Sequence, residues 1–172
     1  MFRYFLLAAA ALSASSPAAA GEVFGGVYVH DIKSPLTLSG TETGIDGQIG
    51  YRGAPLMNAK GPQPYVFASL NSAGDTHFAA AGLAFRFGHR FFVRPGLGIA
   101  IHTGSARDFD RADSDRIDFG SRVLFEPELG LGYQISDRSS VEASWIHLSH
   151  GQLFGGENPG MDDVGARFSW KL

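Results

Sequence analysis

Met161-Asp162-Asp163-Val164-Gly165-Ala166-Arg167-Phe168-Ser169-Trp170-Lys171-Leu172 closes the chain and changes character at almost every step. Asp162, Val164, Ala166, Phe168, Trp170 and Leu172 fall on one face, and Asp163, Gly165, Arg167, Ser169 and Lys171 on the other. A period of two marks a β-strand. Here one face suits hydrocarbon and the other a polar interior. The same alternation recurs upstream in segments 21–30, 41–52, 64–72, 76–87, 90–102, 119–135 and 139–149. In 119–135, for example, Val123, Phe125, Leu129, Leu131 and Tyr133 oppose Arg122, Glu126, Glu128, Gly130 and Gly132. Eight such segments predict an all-β protein, an eight-stranded antiparallel transmembrane β-barrel.

The composition agrees. The chain has 172 residues, 23 of them glycine and 14 phenylalanine, only 18% charged, with no cysteine; mean hydropathy is near zero. Residues 1–20 read as a secretory signal peptide, with one positive charge at Arg3, an apolar run from Tyr4 to Leu12 and small residues up to Ala20. Residues 21–172 are then the barrel. Loss of Arg3 takes the net charge from -3 to -4, which argues against a nucleic-acid partner. After Ala20 no apolar run approaches the roughly 18 residues of a membrane-spanning helix, so an exported chain of this kind is expected in the outer membrane of a Gram-negative bacterium. Gly88-His89 and Ser136-Asp137-Arg138 read as tight periplasmic turns, whereas 103–118 and 150–160 read as longer loops outside the cell. The stretch 53–63 is long for a periplasmic turn.

His147 and Ser149 stand two apart in a strand, so they share a face with Cα atoms about 6.6 Å apart. A serine hydroxyl is a weak nucleophile until a hydrogen-bonded imidazole takes its proton, and an acid must orient that imidazole. Parity puts Asp162 on the same outward face of the next strand, while Asp163 points to the lumen. Asp162 is therefore the first choice of acid, with Glu157, in the loop, held in reserve. Polar groups facing lipid are costly unless functional. At the top of their strands these three meet head groups, where the reactant at hand is a lipid acyl ester.

The stretch His147-Leu148-Ser149, followed by Asn158-Pro159-Gly160-Met161-Asp162 and an amphipathic terminal strand, resembles the lipid A 3-O-deacylase family, the PagL-type outer-membrane acyl hydrolases. The resemblance implies an eight-stranded barrel that removes the ester-linked 3-hydroxyacyl chain at the 3-position of lipid A. It also implies a Ser-His-acid triad on the outer barrel surface and no cofactor. On that reading Ser149 is nucleophile, His147 general base and Asp162 the acid, with lipopolysaccharide as substrate and outer-membrane lipid as surroundings. The match is densest over residues 145–172. Two departures stand out: the family commonly has Asn after the serine, where this chain has His150, and its best-known acid is Glu. By position, the Asn158 side chain and the backbone N–H of His150 or Gly151 are candidates for holding the oxyanion.

Blander readings compete. A His-x-Ser pair alone is weak, and the alternatives are a non-enzymatic small barrel serving adhesion or membrane integrity and a lipid A acyltransferase barrel. Leu148-Ser149-His150-Gly151 lacks the first glycine and the following helix of a nucleophile elbow. Glu126, Glu128, Arg122 and Arg167 read as a charge network inside the barrel. Trp145, Trp170 and Phe168 read as interfacial anchors. The aspartates of loop 103–118 lack the glycine and terminal glutamate of a calcium loop, although its arginines suit phosphates. His30, His77, His89 and His102 show no ligand spacing, so no metal is expected.

Overall fold

The computed structural model describes residues 21–172 except 36, 38–40, 108–115, 152 and 154–158; the expected signal segment 1–20 lies outside the described residues. The strands are β1 Glu22–Val29, β2 Ile45–Arg52, β3 Gln63–Asn71, β4 Phe78–Ala84 with a continuation at Phe87–Gly88, β5 Phe91–His102, β6 Val123–Gln134, β7 Ser139–Leu148 and β8 Met161–Lys171. The interruption of β4 does not open the ladder, because the Phe85 N–H donates to Pro95 O at 2.9 Å. Each strand pairs antiparallel with its neighbours in sequence, and β1 closes the barrel against β8, with Val23 opposite Trp170 and Val29 opposite Val164. Closure leaves no edge, the condition for spanning hydrocarbon with strands.

The alternation read from the sequence sets the two faces. Ile49 (72% exposed), Leu70 (63%), Leu97 (61%) and Leu131 (58%) project outward. Inside, charges are arranged in opposed pairs. Arg52 and Arg94 share Glu22, Arg94 also reaches Glu142 at 2.5 Å, and Arg167 reaches Glu128 at 2.9 Å. The Phe24 ring is flanked by the guanidinium groups of Arg52 and Arg167 at 4.8 and 4.6 Å. The lumen is thus filled by side chains, as a barrel of this strand number requires. Arg122 does not join this network. Ser121 Oγ turns back onto the Val123 carbonyl, the regular strand begins only there, and Arg122 is left at the rim donating to the carbonyls of His102 and Gly104.

One end of the barrel carries the tight turns and the other the longer connections. The long turn 53–62 sits at the tight end and is closed by its own bonds, Leu56 N to Pro62 O and Gly61 N to Asn58 O, both 2.9 Å. At the loop end Ile146 and Leu148, which break the surface pattern of β7, point inward and pack in the apolar cluster with Tyr28, Ile117, Phe119, Leu124 and Met161. Above them Glu42 fastens the loops together: its carboxylate accepts from His30 Nε2, from the Thr76 amide and hydroxyl, and from the Ile117 amide. Burial by itself pushes the Glu42 carboxyl up, but these hydrogen bonds outweigh it and hold the group below the usual carboxylate range.

Removing one partner of a buried pair strands the other charge, at a cost of about 3–5 kcal/mol. Arg167→Ala is therefore expected to lower the urea midpoint of the barrel in detergent far more than Val164→Ala on the lipid face. Equal shifts for the two variants would show that the lumen network carries no stability.

Candidate functional site

The strand register decides where the candidate groups meet. On the β7–β8 ladder His147 lies directly opposite Asp162 and Trp145 opposite Val164. Both His147 and Asp162 occupy the outward parity, as the alternation predicts, and Nδ1 of His147 is 2.8 Å from Asp162 Oδ1. An ionised carboxylate only accepts, which assigns the shared proton to Nδ1 and leaves the Nε2 lone pair available as a base. Gly160 makes room for this orientation: a Cβ there would lie 2.7 Å from Cε1 and 3.2 Å from Nε2 of the imidazole.

Asp162 faces outward, yet it is 0% exposed. Three donors surround its carboxylate. Besides His147, the Trp145 indole Nε1 donates to Oδ1 at 3.0 Å and the Ser34 hydroxyl donates to Oδ2. The loop after β1 is also tied to the strand, since the Ile32 amide donates to the Asp162 carbonyl at 2.8 Å. The Trp145 ring lies against the imidazole, with centroids 6.0 Å apart and planes at 22°. The indole expected only as an interfacial anchor is thus part of the site, and Ser34 is a member that no pattern within β7 or β8 points to.

Ser149 continues the outward row one position beyond β7. Its backbone is pinned to Phe125 on β6 by two bonds, Phe125 N to Ser149 O at 2.7 Å and the reverse at 3.2 Å. Among the described residues no hydrogen bond joins Ser149 Oγ to the imidazole. Hydroxyl and ring share a face two residues apart. After Ser149 the chain turns. His150 is fully buried, its side chain beneath Gly120, and the exposed Gly151 takes a positive φ of 60°. Among the described residues no acceptor takes the Gly151 N–H. Asn158, an oxyanion candidate, and Glu157, the reserve acid, lie outside the described residues.

The arrangement therefore brings together an oriented imidazole, a buried carboxylate and a hydroxyl on the same outward rim. Such a set can carry acyl transfer to serine. It is framed on the lumen side by a second cluster that the sequence did not reveal, in which His30, Asp46 and Asp163 converge.

The model of the PagL family, lipid A 3-O-deacylase, matches residues 32–171. Among solved structures, the crystal structure of the outer membrane enzyme PagL aligns with a TM-score of 0.63 at 17% identity, over 88% of this chain and 99% of that one. Neisserial surface protein A aligns with a TM-score of 0.51 at 14% identity, over 88% and 97%. At such identities the likeness shows the shared barrel fold. No curated protein matches the sequence.

The proton assignment has a direct test. Nitrogen-detected imidazole NMR of the barrel in micelles is expected to show His147 protonated at Nδ1 and bare at Nε2. Asp162→Ala should remove that tautomer preference. A His147 protonated at Nε2 in the unmodified protein would contradict the proposed base.

Proposed function

We propose, from the premise that the chain belongs to the PagL family of lipid A 3-O-deacylases, that it is a serine esterase removing the ester-linked 3-hydroxyacyl chain at the 3-position of lipid A. The protein is an outer-membrane β-barrel. We further propose that residues 1–20 are a signal peptide removed after Ala20, and that the loop end faces outside the cell, where the outer leaflet supplies lipid A.

The observation that carries this reading is the His147–Asp162 hydrogen bond on the outward face beside Ser149. A hydrolase for soluble esters would have no need to turn these groups toward hydrocarbon. In the proposed reaction Ser149 Oγ attacks the ester carbonyl while its proton passes to His147 Nε2, and the new imidazolium is stabilised by Asp162. The C–O bond to the sugar then breaks, and the sugar oxygen takes the proton from His147. Water, deprotonated by the same imidazole, attacks the acyl-serine and releases the 3-hydroxy fatty acid and free Ser149. The carbonyl oxygen carries negative charge in both tetrahedral intermediates, and its donor is assigned to the Gly151 N–H, with Asn158 and the His150 N–H as further candidates. Preorganised donors of this kind are worth roughly 2.7–4 kcal/mol each. No cofactor enters the scheme.

The test is to weigh lipid A from a Gram-negative host that expresses the protein. Loss of one 3-hydroxyacyl mass is expected with the unmodified protein and none with Ser149→Ala, a drop in turnover of about 10⁴-fold or more. Asp162→Ala should lose about 10²–10⁴-fold while Glu157→Ala stays near the parent. A mass gain would instead indicate acyl transfer, and an unchanged spectrum with folded barrel present would indicate a non-enzymatic protein. Activity that depends on Glu157 and not Asp162 would overturn the assignment of the acid.

A further inference from the structure

Directly behind the rim, on the lumen face of β8, one imidazole and two carboxylates meet: His30 at the end of β1, Asp46 in β2 and Asp163 in β8. Their ligand atoms lie within 4.8 Å of one another, and all three side chains are 0% exposed. His30 Nδ1 is 3.0 Å from Asp46 Oδ1 and 3.5 Å from Asp163 Oδ1.

Most of the surrounding polar atoms are satisfied. Asp46 accepts from Ser69 Oγ at 2.8 Å and from Asn71 Nδ2 at 2.9 Å, and Asp163 Oδ1 accepts from the Asp31 amide at 3.1 Å. Two atoms are not. Among the described residues His30 Nδ1 has no partner in hydrogen-bond geometry despite its short distance to Asp46, and no donor reaches Asp163 Oδ2. Buried polar atoms are seldom left in this state, and those that are point to an unplaced water or ion. The orphaned atoms here belong to an imidazole and a carboxylate, and Asp46 sets a second carboxylate beside them, away from solvent.

The geometry suits a metal ion. Around a tetrahedral ion with bonds of about 2.0–2.1 Å, neighbouring ligand atoms stand about 3.3–3.4 Å apart, and the two distances from His30 Nδ1 bracket that value. The other ring nitrogen is already engaged, Nε2 lying 3.1 Å from Glu42 Oε2. A carboxylate holding the far nitrogen fixes the tautomer and leaves Nδ1 as a lone-pair donor, the usual support behind a metal-bound histidine. Calcium and magnesium require six or more oxygen ligands or retained waters. One nitrogen with two carboxylates in a closed pocket favours zinc or an ion of similar character.

We propose that His30, Asp46 and Asp163 form a buried binding site for a divalent transition-metal ion, Zn²⁺ in the first instance. Asp163 Oδ2 supplies a further oxygen to the ion. The site lies next to the rim in both sequence and space. Asp163 adjoins Asp162 on the opposite face of β8, and the same loop after β1 donates the Asp31 amide to Asp163 and the Ser34 hydroxyl to Asp162. A bound ion ties that loop to the strand and so positions the acid of the outward site. Because the ligands are fully enclosed, the ion is taken up as the barrel folds.

The barrel should be refolded in detergent with Zn²⁺, with Co²⁺, or with a chelator, then freed of unbound metal by gel filtration. About one Zn²⁺ per folded chain is expected by elemental mass spectrometry, with a rise in unfolding temperature over the chelator sample. Co²⁺ should give the visible absorption of a tetrahedral nitrogen–oxygen site. His30→Gln and Asp163→Asn should fall to background metal. If either variant fails to fold, the Co²⁺ spectrum and the thermal shift of the unmodified chain decide. Background metal in the folded unmodified barrel with no thermal shift, as expected of an imidazolium merely locked between acids, overturns the proposal. Equal metal in the folded variants, as expected of surface histidines such as His77 and His89, overturns it too. These readouts are independent of deacylation, so loss of the esterase reading leaves them intact.

Discussion

A strand in hydrocarbon has no water for its backbone, so each N–H and C=O must be paired with another strand. Eight strands meet that demand only by closing, and β1 on β8 is the seam. Once the ladder is closed, parity decides which side of the wall each side chain occupies, and a slip of one residue would reverse every one of them. The register that sends Arg167 to Glu128 in the lumen also sends Phe168 and Trp170 to lipid. The same seam connects the loop after β1 to β8, which is how Ser34 comes to lie against Asp162.

Two adjacent aspartates show what parity does to chemistry. Asp162 and Asp163 are one peptide apart, both fully buried, and on opposite faces. Asp162 is covered from the outside by His147, Trp145 and Ser34 and is supplied with donors by all three. Asp163 lies among His30, Asp46 and the Asp31 amide with one oxygen unmatched. Identical side chains thus acquire different roles from the wall between them. In the proposed reaction only the outward one can act on lipid, and the inward one can serve it only through the backbone they share.

The fold was legible because its signal is local and repeated. The eight alternating segments match the eight strands closely, and even Ile146 and Leu148, which blurred the pattern of β7, are explained once the loop end is seen to be plugged with apolar side chains. The shared outward face of His147, Ser149 and Asp162 was legible for the same reason, since a face assignment needs only parity. What could not be read were contacts without periodicity. Arg122 was assigned inward by extending a strand past the Ser121 turn that ends it. His30, Asp46 and Asp163 are brought together by closure of the barrel, and each alone looks like an ordinary polar residue. Trp145 fits an interfacial anchor by type, and only the position of its Nε1 distinguishes it.

The shorter acid is the last point the register explains. The resemblance to the deacylase family sets Asp162 where a glutamate is better known, and an aspartate reaches one methylene less far. In an antiparallel pair, directly opposed residues bring their Cβ atoms to about 4.5–5.5 Å. His147 and Asp162 are such a pair, so a carboxylate one carbon from the backbone's Cβ already meets Nδ1 at 2.8 Å. A glutamate at 162 would carry its carboxylate one methylene further from the strand than the position at which imidazole, indole and hydroxyl now hold it. The shorter side chain is thus the one that fits this rim, because the strand supplies the reach that the side chain lacks.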